Sequence, residues 1–195
     1  MKVLSTVLPE VCIIEPRVFG DERGHFFESW AAQRYVEAGI PGPFVQDNIS
    51  RSRRGILRGL HLQNPHCQGK LVSVLLGEVY DVAVDVRVGS PSFGRWTAVV
   101  LSDTNHRQFW VPPGFAHGFC VTSDEAIFHY KCTEYYHPAS EMSVLWNDPA
   151  LAIDWPVASP IVNEKDSARA FCLTDIPRER LPHYEQARTE RRKDG

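Results

Sequence analysis

The chain contains 195 residues, of which 43% are hydrophobic and 23% are charged, and its formal net charge is −3 at pH 7. This length suits a single domain with a substantial core, and the negative charge argues against a general nucleic-acid-binding role. The five cysteines are odd in number and show no Cys-x-x-Cys spacing, so neither a disulfide framework nor a zinc ribbon is expected. Residues 1–15 lack a long apolar run, so the sequence predicts no signal peptide, no membrane-spanning segment and a cytoplasmic location.

The N-terminal region predicts short strands around a turn, followed by one helix. Residues 3–14 are typical of a strand pair, residues 19–24 of a turn and residues 25–28 of a strand. Ser29 is the predicted N-cap of a short helix that ends near Ala38, where a glycine follows.

The central part of the chain predicts a series of strands. Residues 78–87 alternate strictly, so that one face of this strand packs and the other can line a polar cavity. Further strands are predicted over residues 96–101, 107–111, 117–121 and 127–133. Short strands at regular spacing favour a barrel or sandwich over alternating β-α-β units.

The C-terminal part has a different composition. Residues 137–176 are rich in proline and have few periodic runs, which predicts an irregular wrap over the barrel that carries Trp146 and Trp155. Residues 177–195 are highly charged and predict a helical tail. No internal repeat is present, so we expect one domain over residues 1–195.

Two segments resemble the motifs of the cupin barrels. Gly55 is followed after five residues by His61, as in the first cupin motif, and the second motif, Pro-x-Gly-x-x-His, is intact at residues 112–117. However, Gln63 and Lys70 stand where the first motif has its second histidine and its glutamate. The resemblance implies an all-β, cupin-type jelly-roll barrel with a few short peripheral helices.

The two replacements bear directly on metal binding. A lysine ammonium can only donate hydrogen bonds and would repel a metal ion, and a mononuclear site needs three or four converging donors. We therefore expect no metal and no other cofactor. The rival interpretation is a metal-dependent cupin oxygenase or isomerase that uses His61 and His117 as ligands.

Six further blocks carry a more specific resemblance. They are Phe19-Gly20-Asp21-Glu22-Arg23-Gly24, Phe44-Val45-Gln46-Asp47-Asn48, Leu57-Arg58-Gly59-Leu60-His61, Gln68-Gly69-Lys70-Leu71-Val72, Pro113-Gly114-Phe115-Ala116-His117-Gly118-Phe119 and Asn163-Glu164-Lys165-Asp166. In these blocks the chain resembles the dTDP-4-keto-6-deoxyglucose 3,5-epimerase family of rhamnose biosynthesis from about residue 3 to about residue 170. The resemblance implies inversion of C3 and C5 of dTDP-4-dehydro-6-deoxy-D-glucose to give dTDP-4-dehydro-L-rhamnose. It also implies a homodimer that exchanges strands.

The resemblance assigns a role to individual residues. His61 matches the proton acceptor of the family, Tyr130 its proton donor and Asp166 the carboxylate that orients the histidine. Lys70 matches the cation beside the sugar ketone, with Asp81 as its neighbour. Positions that contact the nucleotide sugar are Arg23, Phe26, Glu28, Gln46, Asp47, Asn48, Arg58, Lys70, His117, Glu141, Lys165 and Tyr136, the last of which matches the residue that stacks on thymine.

These residue types suit epimerisation next to a ketone. A neutral imidazole is an effective base near pH 7, a fixed cation can stabilise the enolate oxygen, and a phenol can return the proton. No dinucleotide-binding glycine fingerprint is present, in agreement with a reaction that needs no redox cofactor. An epimerase acting on C3 or C5 alone, or a non-catalytic protein that binds sugar nucleotides, remains an alternative.

Overall fold

The computed structural model describes residues 1–184, and most of its regular structure is β-strand. In chain order the strands are β1 (Lys2–Ser5), β2 (Cys12–Glu15), β3 (Val18–Asp21), β4 (Gly24–Phe27), β5 (Gln46–Arg53), β6 (Leu57–Gln63), β7 (Lys70–Leu76), β8 (Glu78–Asp85), β9 (Trp96–Ser102), β10 (Gln108–Val111), β11 (Phe115–Val121), β12 (Glu125–Cys132) and β13 (Glu141–Ser143). Within these described residues the helices are α1 (Ala32–Glu37) and the 3-10 turns Pro138–Ser140, Leu173–Asp175 and Arg178–Arg180. None of them is long and apolar enough to span a membrane.

Two antiparallel sheets pack against each other. The large sheet has six strands in the order β1-β2-β10-β7-β12-β5, and the small sheet has five in the order β13-β6-β11-β8-β9. One buried cluster joins them, with Val72 and Phe128 from the large sheet and Ala83 and Phe119 from the small sheet. The rings of Phe119 and Phe128 stack across the gap with their centroids 3.8 Å apart. The predicted all-β jelly-roll class is therefore confirmed.

Strand β8 shows the alternation that its sequence predicts. Val82 and Val84 pack into a second cluster with Leu151 and Leu173, which belong to the irregular C-terminal segment. Ala83, between the two valines, faces the core between the sheets. The irregular segment thus covers the outer face of the small sheet, as predicted, and leaves the inner face of β8 to the interior of the barrel.

The predicted start of the helix was wrong. Helix α1 begins at Ala32, and its N-cap residue Ala31 makes no side-chain capping bond. The carbonyl oxygen of Ser29 instead accepts hydrogen bonds from the Tyr35 hydroxyl at 3.0 Å and from Gln108 Nε2 at 2.8 Å. Tertiary bonds to this carbonyl therefore hold Ser29 before the helix, where its side chain caps nothing.

Three further segments differ from the sequence-based expectation. Residues 19–24 form most of a hairpin rather than a turn alone, because β3 extends to Asp21 and β4 begins at Gly24. Strand β13 pairs with β6 inside the predicted irregular wrap and is too short for an alternating pattern to show. The predicted helical tail begins with a 3-10 turn at Arg178–Arg180, and residues 185–195 lie outside the described part of the chain.

Candidate active site

A cavity of about 360 Å³ lies between the two sheets. It is lined by most of the residues singled out from the sequence, namely Gln46, Asn48, Arg58, His61, Lys70, His117, Tyr130, Tyr136, Glu141 and Lys165. The small sheet supplies His61 from β6 and His117 from β11, while the large sheet supplies Lys70 from β7 and Tyr130 from β12. The reactive side chains therefore come from two opposing walls.

His61 is bound to a buried carboxylate. Its Nε2 lies 2.5 Å from Oδ1 of Asp166, and the backbone N–H of Gly59 donates to Oδ2 of Asp166 at 3.1 Å. Burial alone would raise the pKa of Asp166, but the bond to His61 and the bond from Gly59 bring this pKa below its usual value. An ionised carboxylate only accepts hydrogen bonds, so Nε2 of His61 carries a hydrogen. In the neutral imidazole Nδ1 then has the lone pair that can take up a proton.

Gly59 allows the two histidine strands to approach each other. Its φ is +117°, and a Cβ at this position would lie 2.6 Å from the carbonyl oxygen of His117 and from Cα of Gly118. Two residues further along β6, His61 is the direct register partner of His117 on β11. Glycine at position 59 thus places both imidazoles side by side on one wall.

His117 forms the second histidine–carboxylate pair and is more deeply buried. Its Nε2 lies 2.7 Å from Oδ1 of Asp81, whose side chain is completely buried and whose Oδ2 has no hydrogen-bond partner within residues 1–184. Burial lowers the pKa of His117 despite the nearby Asp81, and burial raises the pKa of Asp81 despite His117 and Lys70. Both groups are therefore shifted toward their uncharged forms.

The opposing wall presents a protonated phenol and an amine. Burial, followed by the influence of Cys132 and Glu141, raises the pKa of Tyr130 to about 12, so this phenol keeps its proton at neutral pH. Burial also lowers the pKa of Lys70, against the opposing effects of Cys132 and Glu141. The Lys70 side chain has no hydrogen bond or salt bridge within the described residues, so its amine is available to a ligand in the cavity.

Polar groups at one side of the cavity form a linked set. The Tyr136 hydroxyl donates to Glu141 Oε2 at 2.7 Å, and Lys165 Nζ lies 2.5 Å from Glu141 Oε1. The backbone N–H of Tyr136 donates to Gln46 Oε1 at 2.9 Å. Arg58 donates from Nε to the Ser52 hydroxyl at 3.1 Å, which leaves its two terminal nitrogens for a ligand.

Four predicted substrate contacts lie outside this cavity. Arg23 and Phe26 are on the β3–β4 hairpin, where the Arg23 side chain is 85% exposed and Phe26 is 70% exposed. Glu28 follows the hairpin and forms a salt bridge with Arg34. Asp47 sits between two cavity residues of β5, and strand alternation turns it to the outer face, where it binds Lys131 Nζ at 2.7 Å. The single chain therefore does not bring these four residues to the site.

Several cavity residues were not assigned to the site from the sequence. They are Ser50, Leu62, Gln63, Gln68, Gly118, Phe119 and Phe128. Strand alternation could have identified most of them, because Ser50 follows Asn48 by two residues, Phe119 follows His117 and Phe128 precedes Tyr130. The same alternation places His129, next to Tyr130, on the outer face, where its Nε2 lies 3.6 Å from Asp47.

The donor set does not resemble a metal site. Within residues 1–184 no group of three histidine, cysteine, aspartate or glutamate side chains is placed to hold a metal ion. The two histidines required by the rival metal-dependent interpretation each bind a carboxylate through Nε2, and Gln63 and Lys70 complete that part of the wall. Metal independence remains a prediction that requires a direct test.

Comparison with known proteins agrees with this geometry. The sequence model of the family described as dTDP-4-dehydrorhamnose 3,5-epimerase matches residues 5–173. The chain belongs to this family. A family member from Pseudomonas aeruginosa is 54% identical over 178 residues, which make up 90% of this chain and 98% of the relative.

Solved structures of family members agree in fold as well as in sequence. The 3,5-epimerase of Legionella pneumophila, determined with dTDP-4-keto-L-rhamnose, has a TM-score of 0.91 and 57% identity and covers 94% of this chain and 98% of its own. ChmJ from Streptomyces bikiniensis, a 3'-monoepimerase determined with dTDP-quinovose, has a TM-score of 0.89 and 33% identity and covers 97% and 96%. The family therefore includes a protein described as inverting one carbon.

Proposed function

We propose that the protein inverts C3 and C5 of dTDP-4-dehydro-6-deoxy-D-glucose and yields dTDP-4-dehydro-L-rhamnose. The observation that carries this proposal is the placement of an imidazole–carboxylate base, His61 with Asp166, on one wall of a cavity whose other wall presents Tyr130 and Lys70. A substrate between the walls meets a base on one face and a proton donor on the other. That is the requirement for inversion at carbons adjacent to a ketone.

Each inversion proceeds through an enolate. His61 takes the proton from C3 or C5, and the electron pair of the broken C–H bond forms the carbon–carbon double bond while the C4 oxygen becomes negative. Lys70 stabilises that oxygen, a contact that can contribute roughly 3–4 kcal/mol to the transition state. Tyr130 then gives its proton to the opposite face of the carbon, and solvent restores the tyrosine and the neutral histidine.

The nucleotide is held outside the reacting centre. Tyr136 is half-exposed at the cavity and offers an aromatic face to thymine, and the Arg58 guanidinium can pair with the diphosphate in a bidentate arrangement. Lys165 and Glu141 add polar contacts close to Tyr136. These contacts position the sugar ring so that its ketone lies near Lys70.

A homodimer would bring the remaining predicted contacts into use. The β3–β4 hairpin exposes Val18, Phe19 and Phe26, and an apolar surface of this kind is expected to be covered in the working protein. In a strand-exchanged dimer this hairpin would enter the cavity of a second copy and bring Arg23 and Phe26 with it. The single domain would then act as a dimer in the cytoplasm.

The deciding experiment is incubation with the 4-keto-6-deoxy sugar nucleotide in deuterated water, followed by proton NMR. We expect deuterium at both C3 and C5 together with the L-configured product. Deuterium at one position only would indicate a single-site epimerase. ChmJ, a similar protein described as a 3'-monoepimerase, is an example of this alternative. Binding without any exchange would indicate a non-catalytic protein. Activity that survives exhaustive chelation would exclude the metal-dependent cupin interpretation.

A further inference from the structure

Gln63 is a buried cavity residue whose carboxamide is fully engaged with the backbone of two loops. It ends strand β6, two residues after His61, and is 4% exposed. Its Nε2 donates to the carbonyl oxygens of His66 at 2.7 Å and Tyr135 at 3.1 Å, and its Oε1 accepts from the backbone N–H of His137 at 2.8 Å. Both amide hydrogens are used, so Gln63 has none left to donate to a substrate.

Two of these three bonds flank one functional residue. Tyr135 and His137 are the immediate neighbours of Tyr136, so Gln63 holds the backbone on both sides of the aromatic residue at the cavity. Residues 133–137 form no strand or helix, and the side chains of Tyr135 and Tyr136 are about half-exposed. A segment with so little burial depends on a few hydrogen bonds for its position.

Other contacts link the same two loops but do not replace Gln63. Gln68 Nε2 donates to the carbonyl oxygen of Glu134 at 2.9 Å, and the rings of His66 and His137 stack with their centroids 3.9 Å apart. Of these two contacts, the first binds the backbone one residue before Tyr135, and the second involves only the side chain of His137. Tyr136 itself is held by two further bonds, from its backbone N–H to Gln46 Oε1 and from its hydroxyl to Glu141. Gln63 adds the bonds to both neighbours of Tyr136, at the carbonyl oxygen of Tyr135 and the N–H of His137.

We propose that Gln63 is a positioning residue that fixes Tyr136 and so determines how tightly the protein binds the nucleotide base, an inference that rests on the proposed function. His61 lies on the same strand but is held independently by Asp166, whose other oxygen accepts the Gly59 N–H. Loss of the Gln63 bonds should therefore weaken recognition of the base and leave the proton-transfer groups in place.

The inference is tested by Gln63→Met, which keeps the length of the side chain and removes its polar atoms. Calorimetry should show dTDP binding weakened about tenfold, the scale of losing one base–aromatic stack. Inorganic pyrophosphate, which has no base, should bind as it does to the unchanged protein. KM for the nucleotide sugar should rise and kcat should stay the same. Equal weakening of dTDP and pyrophosphate, or a loss confined to kcat, would overturn the proposal.

A double-mutant cycle with Tyr136→Ala separates positioning from general damage. If Gln63 acts through Tyr136, Gln63→Met should have little further effect on dTDP binding once the aromatic ring is gone. An undiminished effect in that background would overturn the proposal. Should Gln63→Met fail to fold, Gln63→Glu keeps the acceptor for His137, replaces the two donated bonds by repulsion, and is expected to give the same dTDP-selective loss.

Gln108→Met is a matched control. Gln108 is also buried, on β10, and its amide also makes three hydrogen bonds, to Ser29, Ser73 and Tyr35. The Gln108→Met variant should lose about as much stability as Gln63→Met, while its ratio of dTDP affinity to pyrophosphate affinity stays unchanged. A changed ratio would count against the proposal. If the unchanged protein binds dTDP but does not epimerise, the proposed function fails while the binding comparison still decides the role of Gln63.

Discussion

The two neighbouring histidines of the small sheet each pair with an aspartate through the same atoms, but the pairs differ in the exposure of the imidazole and in the hydrogen bonds to the carboxylate. His61 and His117 are register partners, and each directs Nε2 to Oδ1 of an aspartate, at 2.5 Å and 2.7 Å. The His61 side chain is 26% exposed to the cavity, whereas that of His117 is 6% exposed. The second oxygen of Asp166 accepts the Gly59 N–H, while the second oxygen of Asp81 has no partner within the described residues.

These differences show that pairing with a carboxylate does not by itself create a base. A buried charge is tolerated when hydrogen bonds surround it, and Asp166 receives two of them, so its pKa falls and it stays ionised. Asp81 receives one, and burial raises its pKa. The first pair can therefore stabilise a proton taken up by His61, whereas the second pair resists charge. We infer that His117 contacts the substrate and that His61 performs the chemistry.

The largest expected effect comes from removing the two imidazoles separately. His61→Ala should lower kcat by about 10²–10⁴-fold and abolish deuterium uptake at C3 and C5 together, because general-base catalysis contributes on this scale. His117→Ala should mainly raise KM and retain exchange at both carbons. Proton NMR in deuterated water measures both variants under one protocol. Exchange that survives in His61→Ala but disappears in His117→Ala would reverse the assignment.

The carboxylates provide the next comparison. Asp166 accepts from His61 with one oxygen and from Gly59 with the other, and an asparagine side chain can satisfy only one of these donors. If the oxygen of the substituted carboxamide faces Gly59, its NH₂ group faces Nε2 and favours the wrong tautomer of His61. Asp166→Asn should therefore lower kcat by about 10²–10³-fold, as measured in steady-state assays.

Asp81→Asn is the matched partner of that experiment. One oxygen of Asp81 has no hydrogen-bond partner in residues 1–184, so an NH₂ group in its place breaks no hydrogen bond seen there. We expect this variant to retain most of the kcat value of the unchanged protein. Similar losses in the two asparagine variants would mean that the carboxylates play equivalent roles.

The contrast between the pairs explains which parts of the site the sequence could predict. The cupin motif, with Gly55 and His61 at the right spacing, was enough to indicate the barrel, and the family blocks identified both histidines. Neither reveals the carboxylate partner of His117, because Asp81 lies on a different strand and the pair depends on the register between β8 and β11. Register is a tertiary property that strand patterns do not specify.

Two other features were beyond the sequence for different reasons. The proposed role of Gln63 depends on hydrogen bonds to backbone atoms of a distant loop. Every residue has such backbone atoms, so the sequence does not show which of them Gln63 binds. Arg23 and Phe26 match substrate-contacting positions of the family, yet the hairpin that carries them lies outside the cavity of its own chain. Strand alternation, in contrast, correctly predicted the two faces of β8 because it depends only on local geometry.

Tyr130→Phe tests whether the proton donor and the base lie on opposite walls of the cavity. The phenol comes from the large sheet and His61 from the small sheet, so the variant loses its proton donor and retains its base. Deprotonation should continue and His61 should return the proton to the face from which it came. We expect continued deuterium exchange with inversion reduced about 10²-fold. Equal loss of exchange and inversion would contradict the placement of acid and base on opposite walls.

The smallest expected effect is a change in how stability depends on pH. Burial holds the pKa of His117 below its usual value of 6.5 in the folded protein. Below about pH 6.5, His117 therefore binds a proton in the unfolded chain but not in the folded chain. The free energy of unfolding falls as the pH is lowered through this region. His117→Gln removes this contribution. It also removes the lowering effect of His117 on the Asp81 pKa, so this pKa rises further, which favours the folded state on acidification.

Denaturant unfolding of the unchanged protein and of His117→Gln measures this difference. The two stability curves should run parallel above pH 8 and diverge between about pH 7 and pH 5, because only the unchanged chain gains the histidine proton on unfolding. The steeper acid loss belongs to the unchanged protein, with a difference of at most about 1.4 kcal/mol per pH unit. Parallel curves throughout would show that His117 takes up a proton as readily in the fold as in the unfolded chain, and the distinction between the two pairs would then rest on catalysis alone.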